Sequence, residues 1–127
     1  MSLLDLVIAL AIAAILLGVA VPSYHRHLER TDRADAIRRL LAAAGCQERV
    51  RASAGHYDTT RCADGGGDAY TIRFIPPDEP ETLTFSVIAT PSDPDSSDSC
   101  GSLQLDQSGH RSISGPDGSL AACWGGR

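Results

Sequence analysis

The sequence predicts an α+β fold, in which a long N-terminal helix packs its C-terminal half on a four-stranded antiparallel sheet. Three observations support this fold class. The run Leu6–Val21 contains no polar side chain, a charged stretch with apolar residues at three- and four-residue steps follows it, and the second half of the chain has short segments of alternating polarity. Because helices and strands have side-chain periods of 3.6 and 2 residues, the two patterns separate the two halves of the chain.

The first element is an apolar segment from residue 3 to residue 21. As a helix its 19 residues span about 28 Å, which matches the ~30 Å hydrocarbon core of a bilayer. A cleaved secretory signal fits less well, because the run is long, no basic residue precedes it and no small-residue cleavage site is followed by a fresh start. We therefore predict a hydrophobic helix over residues 1–22 that either crosses a membrane or forms the centre of an assembly.

Asp5 is the one charged side chain inside this segment. A carboxylate near hydrocarbon costs about 2.5 kcal/mol or more unless it is paired. The nearest cation within the first 25 positions is the α-amino group of Met1, either of the same chain or of a neighbouring one. We expect Asp5 and that amine to neutralise each other, which would reward one particular stagger between neighbouring chains.

One long helix is predicted to end at about residue 53. Its part in the head, over residues 23–54, is predicted to have one apolar stripe. Gly18 weakens the helix and Pro22 lacks a backbone donor, so we predict a kink, and a non-helical stretch between residues 14 and 23 when the segment is packed in an assembly. The stripe consists of Tyr24, Leu28, Thr31, Ala34, Ile37, Leu41 and Ala44, with Leu40 beside them.

The remaining chain, in a predicted head over residues 23–127, has a loop at 55–68 and a sheet over 69–114. Alternation indicates strands at 69–76, at 82–89, around Leu103 and Leu105, and around Ile113. Each strand offers only about three apolar side chains, so the helix stripe must cover the sheet. The inward-facing positions of the first two strands are predicted to be Tyr70, Ile72, Phe74, Leu83, Phe85 and Val87.

Charge and motifs argue against an enzyme. The net charge is −5, and residues 62–127 carry three Arg against ten acids, a balance that disfavours generic nucleic-acid binding. No nucleophile motif occurs, and His25 and His27 are two apart on a helix, so they do not ligate a metal together. Asp93–Asp98 has acidic spacing like that of a calcium loop but lacks its turn glycine and distal glutamate. We predict no catalytic residue, no metal and no cofactor.

Two N-terminal motifs carry a family resemblance. Met1–Ile12 reads MSLLDLVIALAI, and Val21–Tyr24 reads VPSY. Together they resemble the mature N-terminus of a type IV pilin, which has an aromatic first residue, then Thr-Leu-Ile-Glu-Leu, an apolar run and Pro-Ser-Tyr. Met at position 1 and Asp at position 5 depart from that pattern. Further stretches are similar to PilE-like pilins, namely Arg33–Leu41, Gln47–Arg49, and Cys100–Gly109 closing with Cys123–Trp124.

The resemblance implies a structural subunit of a type IV pilus in its mature form, without a leader peptide. Met1 would then carry the methylated amine, and Asp5 would pair with the amine of a neighbouring subunit. The implied partners are other copies in a helical filament, the inner membrane before assembly, a prepilin peptidase and an assembly machinery with separate ATPases. The implied location is the inner membrane and then an extracellular filament on a bacterial surface, serving motility, adhesion or DNA uptake. No nucleic acid is expected for this role.

Two alternatives remain open at this point. The chain is also compatible with a minor or tip pilin that acts as an adhesin or DNA receptor, and with a pseudopilin of a type II secretion machine.

The arginines support a further interpretation of assembly, because residues 23–61 carry eight Arg against five acids. This basic part of one subunit would meet the acidic loops of its neighbours, although a solvated surface explains single charges as well.

The four cysteines, Cys46, Cys62, Cys100 and Cys123, favour disulfides over a metal site in an exported chain. Three pairings are possible. We favour Cys46–Cys62, which would tie the helix end to the glycine-rich loop, and Cys100–Cys123, which would close a C-terminal region over residues 100–123 onto the third strand. That second loop resembles the disulfide-bounded region of the pilin family.

Overall fold

The computed structural model describes residues 2–62, 66–75, 83–96 and 98–125. By compactness the chain divides into two units, Met1–Thr31 and Asp32–Arg127, called here the N-terminal unit and the head. The predicted boundary at residue 22 rests on polarity instead, and it stays a prediction. The elements in chain order are α1 (Leu3–Ala54), β1 (Tyr70–Ile75), β2 (Ser86–Pro91), β3 (Leu103–Asp106), β4 (Arg111–Ile113) and α2 (Leu120–Cys123).

Helix α1 is continuous over 52 residues and includes Pro22. The sequence explains its length, because Ala and Leu are frequent in its first half and Ala and Arg in its second, and all three are strong helix formers. It ends where Gly55 adopts a φ of +81°, a left-handed conformation that glycine reaches without the cost of a Cβ. The predicted long N-terminal helix is confirmed.

The sheet is a four-stranded antiparallel meander in the order β1-β2-β3-β4. In its register Ile72 lies opposite Ala89, and Val87 lies opposite Leu105. A tight turn joins β3 to β4, in which the Asp106 carboxylate accepts hydrogen bonds from the backbone amides of Ser108 (2.8 Å) and His110 (2.9 Å). The predicted sheet is confirmed.

One face of the head's part of α1 covers this sheet. Ala36, Leu40 and Ala43 of α1 share one buried cluster with residues of the strands. Within it Tyr57 and Phe85 form an edge-to-face pair, with ring centroids 4.9 Å apart. The buried core consists of Ala36, Leu40, Ala43, Tyr57, Tyr70, Ile72, Phe85, Val87, Ala89, Cys100, Leu103, Leu105, Cys123 and Trp124.

The predicted apolar stripe of α1 is only partly right, since Leu40 is buried and Ile37 and Ala44 pack against the core, but other members of the stripe are exposed. The buried helix residues are Ala36, Leu40, Ala43 and Gln47, whereas Leu41 is 47% exposed. Both sets follow helical steps of three and four, so periodicity alone did not separate them. The sheet covers the face of α1 that carries Ala36, Leu40 and Ala43.

Leu83 was also predicted wrongly, since it is exposed rather than inward. Strand β2 begins at Ser86, which pairs with the last residue of β1, Ile75. The residues before Ser86 therefore have no partner strand in β1, and alternation of polarity continues past the point where pairing stops. Residues 76–82, which include the last residue of the first predicted strand and the first residue of the second, lie outside the described residues.

The short helix α2 was not predicted. Ser119 caps it by accepting a hydrogen bond from the amide of Ala122 at 3.2 Å. The Trp124 indole that follows donates to the carbonyl oxygen of Ser112 at 3.3 Å, which ties the C-terminal region to β4. Four residues are too few to give a helical period, so the sequence carried no signal for this element.

Candidate functional site

The N-terminal unit presents a long apolar surface. Every large apolar side chain between Leu3 and Val21 is 50–82% exposed, although these residue types are normally buried. By length and composition α1 is able to cross a membrane. An exposed apolar surface of this extent marks a contact with a membrane or with other protein chains.

Asp5 lies in the first turn of α1, where the helix dipole favours a negative charge. Its Oδ2 atom accepts a hydrogen bond from the backbone amide of Ser2 at 3.0 Å, and the Ser2 hydroxyl accepts one from the amide of Leu4 at 3.3 Å. Asp5 therefore also satisfies a free amide at the helix start, a role that the sequence analysis missed. Its predicted partner, the amine of Met1, lies outside the described residues, so that pairing stays a prediction.

Gly18 and Pro22 lie within continuous helix in this single chain. A Cβ atom added at Gly18 would meet nothing within 4 Å, so the glycine is not required by packing within the chain. The Pro22 carbonyl accepts a hydrogen bond from the Arg26 Nε atom at 3.2 Å. The predicted non-helical stretch concerns the assembled state, and it stays a prediction.

Just after the apolar segment, one helical face carries basic side chains around a cavity. Ser23, Arg26, His27 and Arg30 line a volume of about 320 Å³. Their spacing of three and four residues places them on the same face of α1. We call this group the basic turn. It lies wholly in the N-terminal unit.

In the head, an ion pair joins α1 to the loop after β2. Arg33 binds the Asp98 carboxylate through two nitrogens, with Nε to Oδ2 at 3.1 Å, and the Tyr70 hydroxyl donates to the same carboxylate. The side chains of Arg33 and Asp98 are only 15% and 4% exposed. We call these three residues the Arg33–Asp98–Tyr70 lock. Its members are 65 and 28 residues apart in sequence, so periodicity gave no signal for it.

Burial and charge act in opposite directions on this lock. Burial acts to raise the pKa of Asp98, but the hydrogen bonds from Arg33 and Tyr70 outweigh it and hold the pKa below its ordinary value. Burial, followed by the neighbouring carboxylate, raises the pKa of the Tyr70 hydroxyl. Asp98 is thus a charged structural residue. Its carboxylate also accepts from the amide of Cys100 at 3.0 Å, so it is already fully engaged within the acidic stretch that resembles a calcium loop.

Gln47 is a second buried polar residue that the sequence analysis did not single out. It is fully buried, and its amide nitrogen donates to the carbonyl oxygens of Asp58 (2.7 Å) and Arg61 (3.0 Å). Its oxygen accepts from the amide of Asp58 at 3.0 Å. One side chain therefore satisfies three backbone groups and fixes the loop that follows α1.

Both favoured disulfides are present in the structure. Cys100–Cys123 closes the C-terminal region, with Cα atoms 5.7 Å apart, which confirms that prediction. The structure also joins Cys46 to Cys62 at a Cα separation of 5.8 Å, the pairing that the sequence favoured. Together with Gln47, this second disulfide holds the loop after α1 against the helix.

Comparisons with known proteins agree with this architecture. Residues 22–104 match the family model described as "Type IV minor pilin ComP, DNA uptake sequence receptor". A type IV pilin from Shewanella oneidensis is similar in structure, with a TM-score of 0.56 and 29% identity over 68% of this chain and 93% of that one. The non-core minor pilin PilV of Neisseria meningitidis shares the fold, with a TM-score of 0.56 and 20% identity over 74% of this chain and 94% of that one. No curated protein sequence matches this chain.

Proposed function

The chain belongs to the type IV pilin family, and from that premise we propose that it is a structural subunit of a type IV pilus. It polymerises through the apolar segment of α1. The observation that carries this proposal is the exposure of that segment, whose large apolar side chains are 50–82% exposed in the single chain. The head, in contrast, buries a core of its own, so only the N-terminal segment needs a partner to leave water.

That partner changes during the life of the subunit. Before assembly the segment lies in the inner membrane, and in the filament it packs against the same segment of other copies. Both surroundings exclude water, so the transfer between them costs little hydrophobic free energy. This exchange is what allows a membrane protein to become a filament without unfolding its head.

Asp5 supplies the register in this proposal. Its carboxylate pairs with the α-amino group of a neighbouring copy, because an unpaired charge in the filament centre would be strongly unfavourable. Within the single chain its bond to the amide of Ser2 lies at the exposed helix start, where exchange for a stronger charged partner is open to it. The pair selects one stagger between subunits and performs no catalysis.

Mass spectrometry and microscopy of sheared surface fibres test this proposal. We expect the chain in the purified fibre fraction, and we expect its abundance there to fall to zero when its gene is deleted. Loss of all fibres on deletion identifies the main building block, and persistence of sparse fibres identifies an accessory subunit. Fibres that never contain the chain contradict the proposal.

A second candidate function is that of a DNA-receptor pilin. The family description favours it, since that family is named for a receptor of DNA uptake sequences. The charge of residues 62–127, with ten acids and three Arg, opposes it. A mobility shift of the full chain in detergent with duplex DNA distinguishes the two functions. A complex whose affinity falls steeply with rising salt supports the receptor, and no complex at moderate salt supports the purely structural subunit.

A further inference from the structure

We propose that the basic turn of α1 binds the phosphate of an anionic phospholipid while the subunit waits in the membrane. This inference rests on the membrane stage of the proposed function. It assigns a ligand to a cavity that filament assembly does not explain. The cavity of about 320 Å³ is lined by Ser23, Arg26, His27 and Arg30, and no acidic side chain is among the residues that line it.

The lining groups have the chemistry that a phosphate requires. Two guanidinium groups offer planar, paired N–H donors that fit the oxygens of a phosphate, and the Ser23 hydroxyl adds a further donor. Arg26 commits one of its five N–H donors to the carbonyl of Pro22, at 3.2 Å. That bond anchors the side chain against its own helix, so less side-chain entropy is lost when an anion binds.

The position of the basic turn along α1 points to a lipid. The apolar segment ends at Val21, and about 1.5 Å of rise per residue places Arg26 roughly 7 Å beyond it. The polar headgroup layer on one side of a bilayer is about 5–8 Å thick. Arg30 lies about one helical turn further out, and its long side chain is able to reach back towards the interface.

A neighbouring aromatic residue supports the same depth. Tyr24 is exposed in the single chain and directly follows the first lining residue. Tyrosine is enriched at membrane interfaces, where its ring meets the acyl boundary and its hydroxyl meets water. Asp32 falls on the opposite face of α1 at about 100° per residue. Glu29 lies three residues after Arg26, at the edge of the basic turn, and is not among the residues that line the cavity.

Nanodiscs test the proposal with the full chain. The wild-type chain and the double variant Arg26→Gln/Arg30→Gln are reconstituted in phosphatidylcholine alone and in phosphatidylcholine with phosphatidylglycerol. Lipids that remain on the chain after gentle extraction are counted by native mass spectrometry. The matched control is Arg49→Gln/Arg73→Gln, which removes two exposed arginines of the head and leaves the net charge the same as in the test variant.

We expect the wild type and the control to retain phosphatidylglycerol selectively. Each arginine near an anionic membrane surface raises the affinity for it roughly fivefold, so the test variant, which lacks two, should retain about 30-fold less phosphatidylglycerol. Equal retention by the wild type and the test variant overturns the proposal. In detergent, displacement of phosphatidylglycerol by a low concentration of free glycerophosphate also overturns it, because the site then binds a soluble phosphate rather than a lipid.

Two further outcomes separate this proposal from its neighbours. A chain that enters neither kind of nanodisc contradicts the membrane stage of the proposed function, whereas insertion without lipid selectivity contradicts only the basic turn as a lipid site. Duplex DNA that binds the inserted chain and displaces phosphatidylglycerol, with loss of both in the test variant, overturns the lipid assignment in favour of DNA.

Discussion

The two halves of the protein treat the same residue type in opposite ways. Leu3 in the N-terminal unit is 82% exposed, whereas Leu40 and Leu103 in the head are fully buried. A lone helix has no second layer against which to bury its apolar side chains, while the head supplies a helix and a sheet. The head therefore buries an apolar core within the single chain, whereas the apolar side chains of the N-terminal segment leave water only in contact with a membrane or with other chains.

Within the described residues, the contacts that hold distant parts of the chain together lie in the head. Two disulfides, the buried Gln47 and the Arg33–Asp98–Tyr70 lock all lie between residues 33 and 123. A small core needs such additional constraints, because its burial alone gives little margin over chain entropy. In the proposed function, they allow the head to keep its shape while the N-terminal segment exchanges a membrane for neighbouring copies.

The largest expected effect comes from opening the lock. Asp98→Ala leaves the Arg33 guanidinium partly buried without its counter-ion, which should lower the free energy of unfolding by about 3–5 kcal/mol. The measurement is denaturant unfolding of the full chain in mild detergent, followed by the fluorescence of Trp124. Asp95→Ala is the control, since Asp95 is exposed and should change stability by less than about 0.5 kcal/mol. Equal unfolding midpoints for the two variants would show that the Arg33–Asp98–Tyr70 lock does not stabilise the head.

Removal of the C-terminal disulfide should come next in size. Cys100→Ser/Cys123→Ser frees a loop with a sequence separation of 23 and should lower the free energy of unfolding by about 3 kcal/mol in the chain-entropy model. Insertion of the N-terminal segment into vesicles should not change, because the disulfide lies in the head. A variant that loses membrane insertion together with stability would show that the two regions are not independent.

Two adjacent leucines sharpen the comparison within a single helix. Leu40→Ala should cost about 3 kcal/mol because it opens a cavity between α1 and the sheet, and Leu41→Ala should cost less than about 1 kcal/mol because that side chain is 47% exposed. Thermal unfolding of both variants provides the measurement. Similar losses from both would mean that α1 presents a different face to the sheet.

The smallest expected effect is on the acid limb of the stability curve. The folded pKa of Asp98 lies below its unfolded value, so its contribution is fully present above about pH 4 and is lost as the pH falls through the folded pKa. Asp98→Asn should therefore flatten the decline in stability between neutral pH and strong acid. Part of the decline should remain, because hydrogen bonds also lower the pKa of Asp35, Asp58 and Asp106. An unchanged acid limb in Asp98→Asn would contradict the lowered pKa.

The sequence predicted the elements better than their contacts. The periodic spacing of apolar residues identified α1 and the sheet, because that spacing is visible in the sequence without any knowledge of contacts in the folded chain. The buried face of α1 was missed in part because Ala36 and Ala43 are weakly apolar, and only packing of the folded helix on the sheet distinguishes them from Leu41. Local pattern has no access to such a choice.

The polar contacts of the head were out of reach for a different reason. Asp98 was one of several acids in a turn-rich loop, and nothing in its neighbourhood distinguishes it from Asp93 or Asp95. Its partners Arg33 and Tyr70 come close only when helix, first strand and loop are folded together. Gln47 is similar, because a glutamine in a charged helix normally faces water.

Asp5 gives the most direct test of the claim that the N-terminal segment joins copies of this chain in register. Asp5→Ala and Asp5→Glu are expressed in bacteria that lack the native chain, and sheared fibres are quantified and imaged. We expect Asp5→Ala to lower incorporation at least tenfold, because it leaves the neighbouring amine unpaired in the filament centre, and Asp5→Glu to assemble normally. Asp5→Ala fibres of normal yield and normal subunit spacing would contradict the account.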